Sequence, residues 1–505
     1  MNLFRNWAAS LISFLSVFYI AFLTSCESEQ KNEERLAKKY CSSCHLFPKP
    51  ELLTKGIWKN GVFPEMAFRM GMRDSFEATK GISANDIATV LGTIPAGPMV
   101  SPKEWESIQR YFDRNAPDSL VANPKTEKSH LTLFEVTKVN PVLGSFPMIT
   151  LLKVDTFRRK IFYGTRQGKL VQLNDSLKVE HSIQLKSPPS HLIFDAKNPT
   201  VVTLMGLMDP NDQAKGELIA LDPSSNEQSV LIDSLKRPVN FERKDLNKDG
   251  REDFVVCAFG NYTGALLVYE NTSDKTFQRH VLSDAPGARR VIVKDFNADG
   301  REDILALFAQ GDEQIVLFIN EGDFKFRRKM LLRFPPMYGS SYFDIADFNH
   351  DGKFDVITTQ GDNLDYSKIL KPYHGVRLFT QGEDQKFDET WFHPMHGASQ
   401  AMARDFDNDG DIDIAAISYF PDFAQSPEEG FLYFENTGKD FKAHTTPQST
   451  SGRWLVMEAA DIDADGDCDI LLGALDFYEG VPKKSVEEWA KDKASILVLK
   501  NTTRH

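Results

Sequence analysis

The 505-residue chain has only 5 cysteines, and after its first 25 residues no apolar run is long enough to cross a bilayer. It also lacks an excess of positive charge, because the formal net charge is −13 at pH 7. That charge argues against nucleic-acid binding and against a polybasic membrane patch. Motifs for serine hydrolysis (G-x-S-x-G), zinc proteolysis (H-E-x-x-H) and phosphate binding are missing as well. The length predicts two or three domains, none with a recognisable catalytic signature.

The first 25 residues are organised like an export signal. Arg5 supplies positive charge, and the apolar run from Leu11 to Thr24 has the length of a signal-peptide core. The segment that ends in Cys26 (Leu-Thr-Ser-Cys) resembles the lipobox of bacterial lipoproteins. This resemblance implies removal of residues 1–25, lipidation of Cys26 and a short tether over 26–30. An ordinary cleaved signal with an incidental cysteine is the alternative.

The residue after Cys26 bears on the location of the mature protein. Glu27 stands where enteric bacteria use Asp to retain lipoproteins in the inner membrane. We therefore expect an outer-membrane lipoprotein that faces the periplasm or the cell surface and is held to the membrane by its lipid anchor.

A haem attachment motif follows the tether. Cys41-Ser42-Ser43-Cys44-His45 matches C-x-x-C-H, in which two thiols add to the porphyrin vinyl groups and the histidine becomes the proximal iron ligand. A local Cys41–Cys44 disulfide and half of a zinc site are the alternatives. No second Cys/His pair at zinc-finger spacing follows. The motif therefore predicts covalent haem c, bound outside the cytoplasm, with Cys41, Cys44 and His45 as its cofactor-binding residues.

Residues 31–116 are predicted to form a small all-α, cytochrome c-like domain. Ser101-Pro102 begins a helix that runs to Arg114 and carries an apolar face, and it resembles the closing helix of class I cytochromes c. For the sixth iron ligand we favour Met66, because the stretch from Trp58 to Gly71 resembles haem modules fused to repeat domains. The alternatives are Met70, Met72 and Met99. A polar linker over 117–128 would connect this domain to the rest of the chain.

Beyond the linker, a nine-residue acidic pattern recurs five times, at starts separated by 50, 52, 58 and 56 residues. Such a period is typical of propellers and solenoids. The polar members of the five copies are Asp245, Asn247, Asp249 and Asp253; Asp295, Asn297, Asp299 and Asp303; Asp347, Asn349, Asp351 and Asp355; Asp405, Asp407, Asp409 and Asp413; and Asp461, Asp463, Asp465 and Asp469.

Oxygen ligands at positions 1, 3 and 5, followed by glycine at position 6, predict a calcium-binding loop. An EF-hand also needs glutamate at position 12, which is instead Val256, Ala306, Thr358, Ala416 and Leu472. A β-rich run follows each loop, so each loop joins two strands. The pattern resembles the FG-GAP or VCBS repeat family, which implies propeller blades with calcium bound between their first two strands. Solvated acidic turns without metal are the alternative.

Two weaker copies without the carboxylates start at Asp155 and Asp195, which brings the predicted number of blades to seven. The last repeat stops near Asn501, before its outermost strand, and Leu131–Thr137 has the pattern of the missing strand. We therefore predict a seven-bladed β-propeller over 129–505 with FG-GAP-type calcium loops, closed by its own N-terminal strand. The fold class is mainly β, preceded by the small all-α domain.

The propeller face opposite the calcium loops carries longer loops with mixed aromatic, basic and acidic residues. We predict a ligand pocket or docking surface there, and the alternative is that these loops only pack against each other or the cytochrome. The residues proposed for this face are Tyr373, His374, His396, Asp422, Arg453 and Trp454.

Three functions are compatible with these features. The first is a lipid-anchored electron-transfer protein whose propeller binds a redox partner protein or a small ligand. The second is a periplasmic or surface oxidoreductase that oxidises a small substrate at the propeller face and passes electrons to the haem. The third is an integrin-like adhesion or scaffold protein, against which the haem motif argues.

Overall fold

The computed structural model describes residues 29–72, 84, 86–141, 147–174, 176–195, 199–222, 225–273, 276–362 and 369–503. Cys26 and the predicted signal peptide lie outside this part of the chain. The chain divides into two compact units, Met1–Lys80 with Ile94–Leu120 and Gly81–Thr93 with Val121–His505. None of the helices in the described ranges has the length and apolar character that a membrane crossing requires.

The helices are α1 (29–41), α2 (Lys55–Ile57), α3 (Phe63–Arg69), α4 (Ile87–Gly92), α5 (Pro102–Asn115) and α6 (Lys483–Asp492). A 3₁₀ turn at Pro50–Leu52 precedes α2, and a π-helical turn at Trp58–Val62 joins α2 to α3. In the first unit, α1 and α5 are tied by ion pairs to Glu33, which is only 1% exposed on its side chain. Arg110 Nε lies 2.7 Å and Arg114 Nη1 2.8 Å from its carboxylate oxygens.

The local sequence explains α5 well. Ser101 accepts a hydrogen bond from the Glu104 backbone, Glu104 caps Ser101 in return, and Pro102 begins the first turn. Trp105, Ile108 and Phe112 are buried along one face, as the sequence predicts. Phe112 packs against Trp58 with the two rings 4.4 Å apart, so this face forms the aromatic core of the helical unit.

The described residues of the second unit form 29 strands in seven sheets. The chain enters through β1 (Ser129–His130) and β2 (Phe134–Val139). Blade 1 consists of β3 (Ile149–Asp155), β4 (Lys160–Thr165), β5 (Lys169–Leu173) and β6 (Val179–Gln184). Blade 2 consists of β7 (Pro189–Ile193), β8 (Thr200–Leu204), β9 (Gly216–Leu221) and β10 (Gln228–Leu235). Blade 3 consists of β11 (Pro238–Lys244), β12 (Asp253–Ala258), β13 (Ala265–Ser273) and β14 (Thr276–Ser283).

The remaining blades follow the same order. Blade 4 consists of β15 (Ala288–Lys294), β16 (Asp303–Phe308), β17 (Gln314–Asn320) and β18 (Phe326–Arg333). Blade 5 consists of β19 (Ser340–Ala346), β20 (Asp355–Gln360), β21 (Gly375–Gln381) and β22 (Phe387–Pro394). Blade 6 consists of β23 (Ala398–Arg404), β24 (Asp413–Ser418), β25 (Phe431–Asn436) and β26 (Phe441–Thr445). Blade 7 consists of β27 (Trp454–Ala460), β28 (Asp469–Ala474) and β29 (Ile496–Asn501).

The ring is closed by the N-terminal strand. β2 pairs antiparallel with β29, with Phe134 opposite Asn501 and Val139 opposite Ile496, and it becomes the fourth strand of blade 7. β1 pairs in parallel with β26 and extends blade 6 to five strands. The predicted seven blades and the predicted closure are therefore confirmed, with β2 placed a few residues later than the sequence pattern indicated.

The second strand of each acidic-loop blade is buried on both sides. All six residues of β12, β16, β20, β24 and β28 are buried, because each strand lies between neighbours within its sheet and between adjacent blades. This is why four of these segments are mostly apolar beyond their first aspartate, whereas β20 also buries Thr358, Thr359 and Gln360. One turn of each such blade, between its first and second strands, is the acidic loop, and all five loops lie on the same face of the ring.

Candidate functional site

The haem motif lies at the end of α1. Cys41 is the last helical residue, and both Cys41 and Cys44 are free thiols, so the structure does not contain the alternative Cys41–Cys44 disulfide. Burial, and then the nearby Cys44, raises the pKa of Cys41 to about 12. At neutral pH this thiol is therefore protonated, which is unlike a reactive or metal-bound thiolate.

The His45 ring is oriented by its own backbone. Its Nδ1 atom lies 2.9 Å from the Leu46 carbonyl oxygen, and because a carbonyl only accepts, this contact makes Nδ1 the protonated nitrogen and leaves the lone pair on Nε2. Apolar side chains of the same unit are exposed, since Leu46 is 36% and Met99 46% exposed. Two thiols, an oriented imidazole and uncovered apolar side chains are the features that a covalently bound porphyrin would use.

The favoured sixth ligand, Met66, and two of its alternatives, Met70 and Met99, lie in segments that are joined by backbone hydrogen bonds. Met66 lies within α3, and its carbonyl accepts a hydrogen bond from the Met70 N–H at 2.9 Å. The Met70 carbonyl in turn accepts from the Met99 N–H at 2.9 Å. All three side chains are at least partly exposed. The unit therefore offers thioether sulfur from two converging segments, and the assignment to Met66 stays a prediction.

The acidic loops share one backbone conformation. Position 4 has positive φ at Lys248, Ala298, His350, Asn408 and Ala464. The glycine at position 6 of each loop also has a positive φ, between 82° and 98°. In each loop an oxygen of the position 1 aspartate accepts from this glycine N–H at 2.7–3.2 Å. The side chains at positions 1, 3 and 5 are thereby held around the turn.

The position 9 aspartates are fully buried at 0% exposure. In each, one oxygen accepts from the position 2 N–H at 2.9–3.1 Å and the other from a residue at the end of the third strand at 2.7–2.9 Å. These carboxylates therefore fasten each loop to its blade. Because a carboxylate oxygen has a second lone pair, this role is compatible with a metal ligand.

In two loops, three carboxylates converge. In blade 6, oxygens of Asp405, Asp407 and Asp413 lie within 4.8 Å of one another, and the same holds for Asp461, Asp463 and Asp469 in blade 7. The Asp405 Oδ1 atom is buried without a hydrogen-bond partner among the described residues. Burial raises the pKa of Asp413 to about 7, so the charged carboxylate is costly without a neighbouring cation.

The loops of blades 3 and 4 are partly neutralised by the chain itself. Arg251 pairs with Asp249, and Arg301 Nη2 lies 2.6 Å from Asp299. These two loops also have Asn at position 3, whereas the loops of blades 6 and 7 have Asp at positions 3 and 7. The donor sets are all oxygen and fit calcium, but the five loops differ in charge.

On the opposite face, two of the six predicted residues belong to the interior. Trp454 is 0% exposed and packs in the core between blades 6 and 7. Arg453 is 2% exposed and donates to the carbonyls of Tyr419 and Phe477, each at 2.6 Å. Its guanidinium lies over the Tyr419 ring at 4.2 Å. Neither side chain is available to a ligand, because the loops fold over both.

Tyr373 and Asp422 also have structural roles. Tyr373 is 9% exposed and stacks on Tyr338 with ring centres 4.9 Å apart. Asp422 Oδ1 accepts from the Ala424 and Gln425 N–H groups at 3.1 Å and stabilises a turn. That the six residues form a shared ligand pocket remains a prediction.

The structure does bring His374 and His396 together. His374 directly precedes β21, and its carbonyl accepts from the Met395 N–H at 3.0 Å, next to His396. Burial is the main cause that lowers the pKa of His374 well below its usual value, and Lys371 and His396 contribute further. The His374 imidazole is therefore a neutral group on the face opposite the acidic loops.

Sequence reasoning missed a set of charged side chains on the innermost strands. Lys153 Nζ of β3 lies 2.9 Å from Glu458 of β27, and Arg290 of β15 lies 3.6 Å from Asp344 of β19. Burial raises the pKa of Glu242 on β11, while the positive charges of Arg290 and Lys153 act to lower it. The signal was present in the repeat register, because Glu242, Asp344 and Glu458 each stand three residues before the first loop aspartate.

Comparison with known families supports the repeat assignment. The FG-GAP-like repeat family matches residues 245–306, 295–358 and 405–472, which include all five acidic loops from end to end. No curated protein matches the chain in a sequence comparison.

The comparison with solved structures finds matches at low similarity. The N-terminal domain of Nup159 is 10% identical, covers 75% of this chain and 98% of its own, and gives a TM-score of 0.44. The Neurospora crassa Pan2 WD40 domain is 11% identical with coverages of 75% and 98% and a TM-score of 0.45. The Myceliophteria thermophila Cps50 (Swd1) propeller domain is 10% identical with coverages of 73% and 100% and a TM-score of 0.43. The seven sheets and the family match together identify the chain as a seven-bladed β-propeller with FG-GAP-like repeats, preceded by a small helical region.

Proposed function

We propose that this protein is an extracytoplasmic, lipid-anchored electron-transfer protein that carries haem c on Cys41, Cys44 and His45. Its FG-GAP propeller serves as a calcium-stabilised scaffold that binds a redox partner protein or a small ligand. The observation that carries the proposal is the C-x-x-C-H motif at the end of α1, with two free thiols and the His45 Nδ1 atom 2.9 Å from a backbone carbonyl.

When bound, the haem would supply a one-electron redox centre. The chain's own residues would anchor it through Cys41 and Cys44 and hold the His45 ring in one orientation. Leu46 and Met99 would cover it with apolar surface that is otherwise exposed. A methionine from the Met66–Met70 segment or from Met99 would fill the sixth position, which favours electron transfer over reaction at the iron.

In this proposal the propeller is the rigid scaffold that binds the partner or ligand. Its seven sheets are closed without a free edge at blade 7, and the acidic loops form a ring of oxygen-rich turns on one face. Calcium in these loops would hold the turns together by neutralising carboxylates that otherwise repel each other. Substrate oxidation at the opposite face gains no support from the geometry, because Arg453 and Trp454 are buried.

The haem claim is tested by expression with the haem-attachment machinery, followed by acid–solvent extraction and a pyridine haemochrome spectrum. Haem should remain with the protein, and Cys41→Ser with Cys44→Ser should abolish its attachment. Cys257→Ser is the matched control, since Cys257 is a buried thiol of blade 3 outside the motif. If all haem extracts into solvent, or if the double variant keeps it, the proposal is wrong.

The anchor is tested separately. Cys26→Ser should release the mature protein from the membrane fraction, because the lipid would have no attachment point. A variant that stays in the membrane fraction would show that Cys26 does not anchor the chain.

A further inference from the structure

The closing strand β2 starts beside the two most acidic loops of the ring. The loops of blades 6 and 7 each contain five aspartates, whereas each of the other three acidic loops contains three. β2 begins at Phe134, which lies opposite Asn501, the last residue of β29 in blade 7. The strand that closes the propeller therefore begins in the sector with the highest density of negative charge.

Asn501 joins the partner strand of β2 to both loops. It is 1% exposed, and its N–H donates to the Asp469 carboxylate of the blade 7 loop at 2.7 Å. Its Nδ2 atom donates to the carbonyl of Phe406, at position 2 of the blade 6 loop, at 2.6 Å. The same atom donates to the Cys468 carbonyl of the blade 7 loop at 3.1 Å. One buried residue thus holds the end of β29 against two acidic loops.

Asp413 makes a second connection, from the blade 6 loop to β2 itself. One of its carboxylate oxygens accepts from the Phe406 N–H at 3.1 Å and from the Tyr433 hydroxyl at 2.7 Å. The ring centres of Phe406 and Tyr433 lie 6.1 and 5.8 Å from that of Phe134. A displacement of Asp413 therefore moves both aromatic rings that pack against the first residue of β2.

These two loops depend on a cation more than the other acidic loops do. Asp467 of blade 7 is 3% exposed, and its Oδ1 atom has no hydrogen-bond partner among the described residues, like the Oδ1 atom of Asp405 in blade 6. A buried carboxylate oxygen without a partner is costly. Lys500 pairs with Asp463 and offsets one of the charges. The remaining carboxylates repel one another, and a divalent ion lowers that repulsion.

Blades 1 and 2 are neutralised by arginine instead. Arg158 Nη1 lies 2.8 Å from the Asp155 carboxylate in the turn of blade 1. Arg243 Nη2 lies 2.5 Å from the Asp195 carboxylate that follows β7, and its Nε lies 3.0 Å from Glu252. Because a guanidinium is a permanent part of the chain, this sector keeps its counter-charge when calcium is removed.

From these contacts we infer that calcium in the loops of blades 6 and 7 controls the closure of the ring by β2. The inference rests on the calcium binding of the proposed function and adds a regulatory role to it. With calcium bound, Asp413 and Asp469 hold Phe406 and Asn501 in place, and β2 stays paired with β29. Without calcium, the two loops shift by mutual repulsion, β2 loses its neighbours and the ring opens at blade 7, while blades 1 and 2 keep their structure.

The test is hydrogen–deuterium exchange of the full-length protein, read by mass spectrometry in excess calcium and after addition of EGTA. Chelation should speed the amide exchange of 134–139 and 496–501 by at least roughly tenfold, because the strand pair opens locally. The segment 160–173 of blade 1 should keep its protection. If 134–139 stays protected, or if both segments lose protection together, the inference is overturned.

Two pairs of variants separate the closing sector from the rest of the ring. Asp461→Ala, in the blade 7 loop, should speed exchange of 134–139 in the presence of calcium, whereas Asp245→Ala in the blade 3 loop should not. Asn501→Ala should do the same as Asp461→Ala. Asn320→Ala is its matched control, because Asn320 makes the equivalent contacts to Asp303 and Leu246 at 2.8 and 3.0 Å, where no closing strand lies. Equal effects within either pair would overturn the inference.

Calcium binding itself is measured by calorimetric titration of the same samples, so that the two claims fail differently. If calcium binds and chelation leaves β2 protected, this inference is wrong and the calcium-stabilised scaffold stands. If no calcium binds, the calcium part of the proposed function is wrong and this inference falls with it.

Discussion

The closure of the ring by β2 can be tested at one side chain. Phe134 comes from the N-terminal strand, yet it is 5% exposed and lies in the core between blades 6 and 7. Its ring centre is 5.8 Å from that of Tyr433 and 6.1 Å from that of Phe406, both in edge-on geometry. Phe134→Ala removes these contacts and leaves a cavity between the blades.

The expected cost follows from that burial. Replacing a buried phenylalanine by alanine destabilises a protein by about 3–5 kcal/mol, through lost apolar contact and the cavity that remains. Whole domains are stable by only about 5–15 kcal/mol. The single substitution should therefore remove a large share of the propeller's stability, although it lies more than 300 residues from its partner strand β29 in sequence.

Urea unfolding in excess calcium, followed by tryptophan fluorescence, measures the effect. Phe157→Ala is the matched control, because Phe157 is 69% exposed in the turn between β3 and β4. The control should change the free energy of unfolding by less than about 0.5 kcal/mol. If the two substitutions cost the same, β2 does not hold the ring closed and the reasoning fails.

Three further predictions follow from the acidic loops, a buried carboxyl and the iron site. Calcium removal should lower the thermal midpoint, and Asp405→Ala should lose more of the calcium-dependent stabilisation than Asp245→Ala, because the blade 6 loop has more carboxylates; equal losses would contradict this ranking. Burial raises the pKa of Asp476 to about 7 although Arg453 opposes it, so this group's contribution is present below its unfolded pKa of about 3.9 and is lost as pH rises through 7. Asp476→Asn should therefore flatten that part of the pH–stability curve and make the protein more stable than wild type at pH 8; an unchanged curve in pH-jump unfolding would refute it. Met66→Ala should abolish the near-infrared methionine–iron band, whereas a retained band would move the ligand to Met70 or Met99.

The sequence predicts the propeller well because its information is periodic. The acidic loops mark five of the seven blades, and in four of these blades the strand after the loop is mostly apolar beyond its first aspartate. Closure was predictable for the same reason, since the last repeat lacks a strand and the N-terminal segment supplies one. These features depend on local pattern, which a single sequence displays.

The opposite face was less predictable because its residues are placed by tertiary packing. Arg453 and Trp454 look like ligand residues in sequence, yet the loops of blades 6 and 7 bury them. The polar composition of the predicted linker did not reveal that part of it is bound to the propeller. Asn123 Nδ2 donates to the Pro372 carbonyl at 2.6 Å, and Lys128 pairs with Glu428. Such partners lie hundreds of residues away and leave no periodic signal.

The central claim of a covalent haem is tested most directly by peptide mass spectrometry of the exported, haem-matured protein. The tryptic peptide that spans Cys41 to His45 should carry the mass of one haem joined to both cysteines, and the free-thiol form of that peptide should be missing. Recovery of this peptide with two unmodified thiols, or with a Cys41–Cys44 disulfide, would contradict the account.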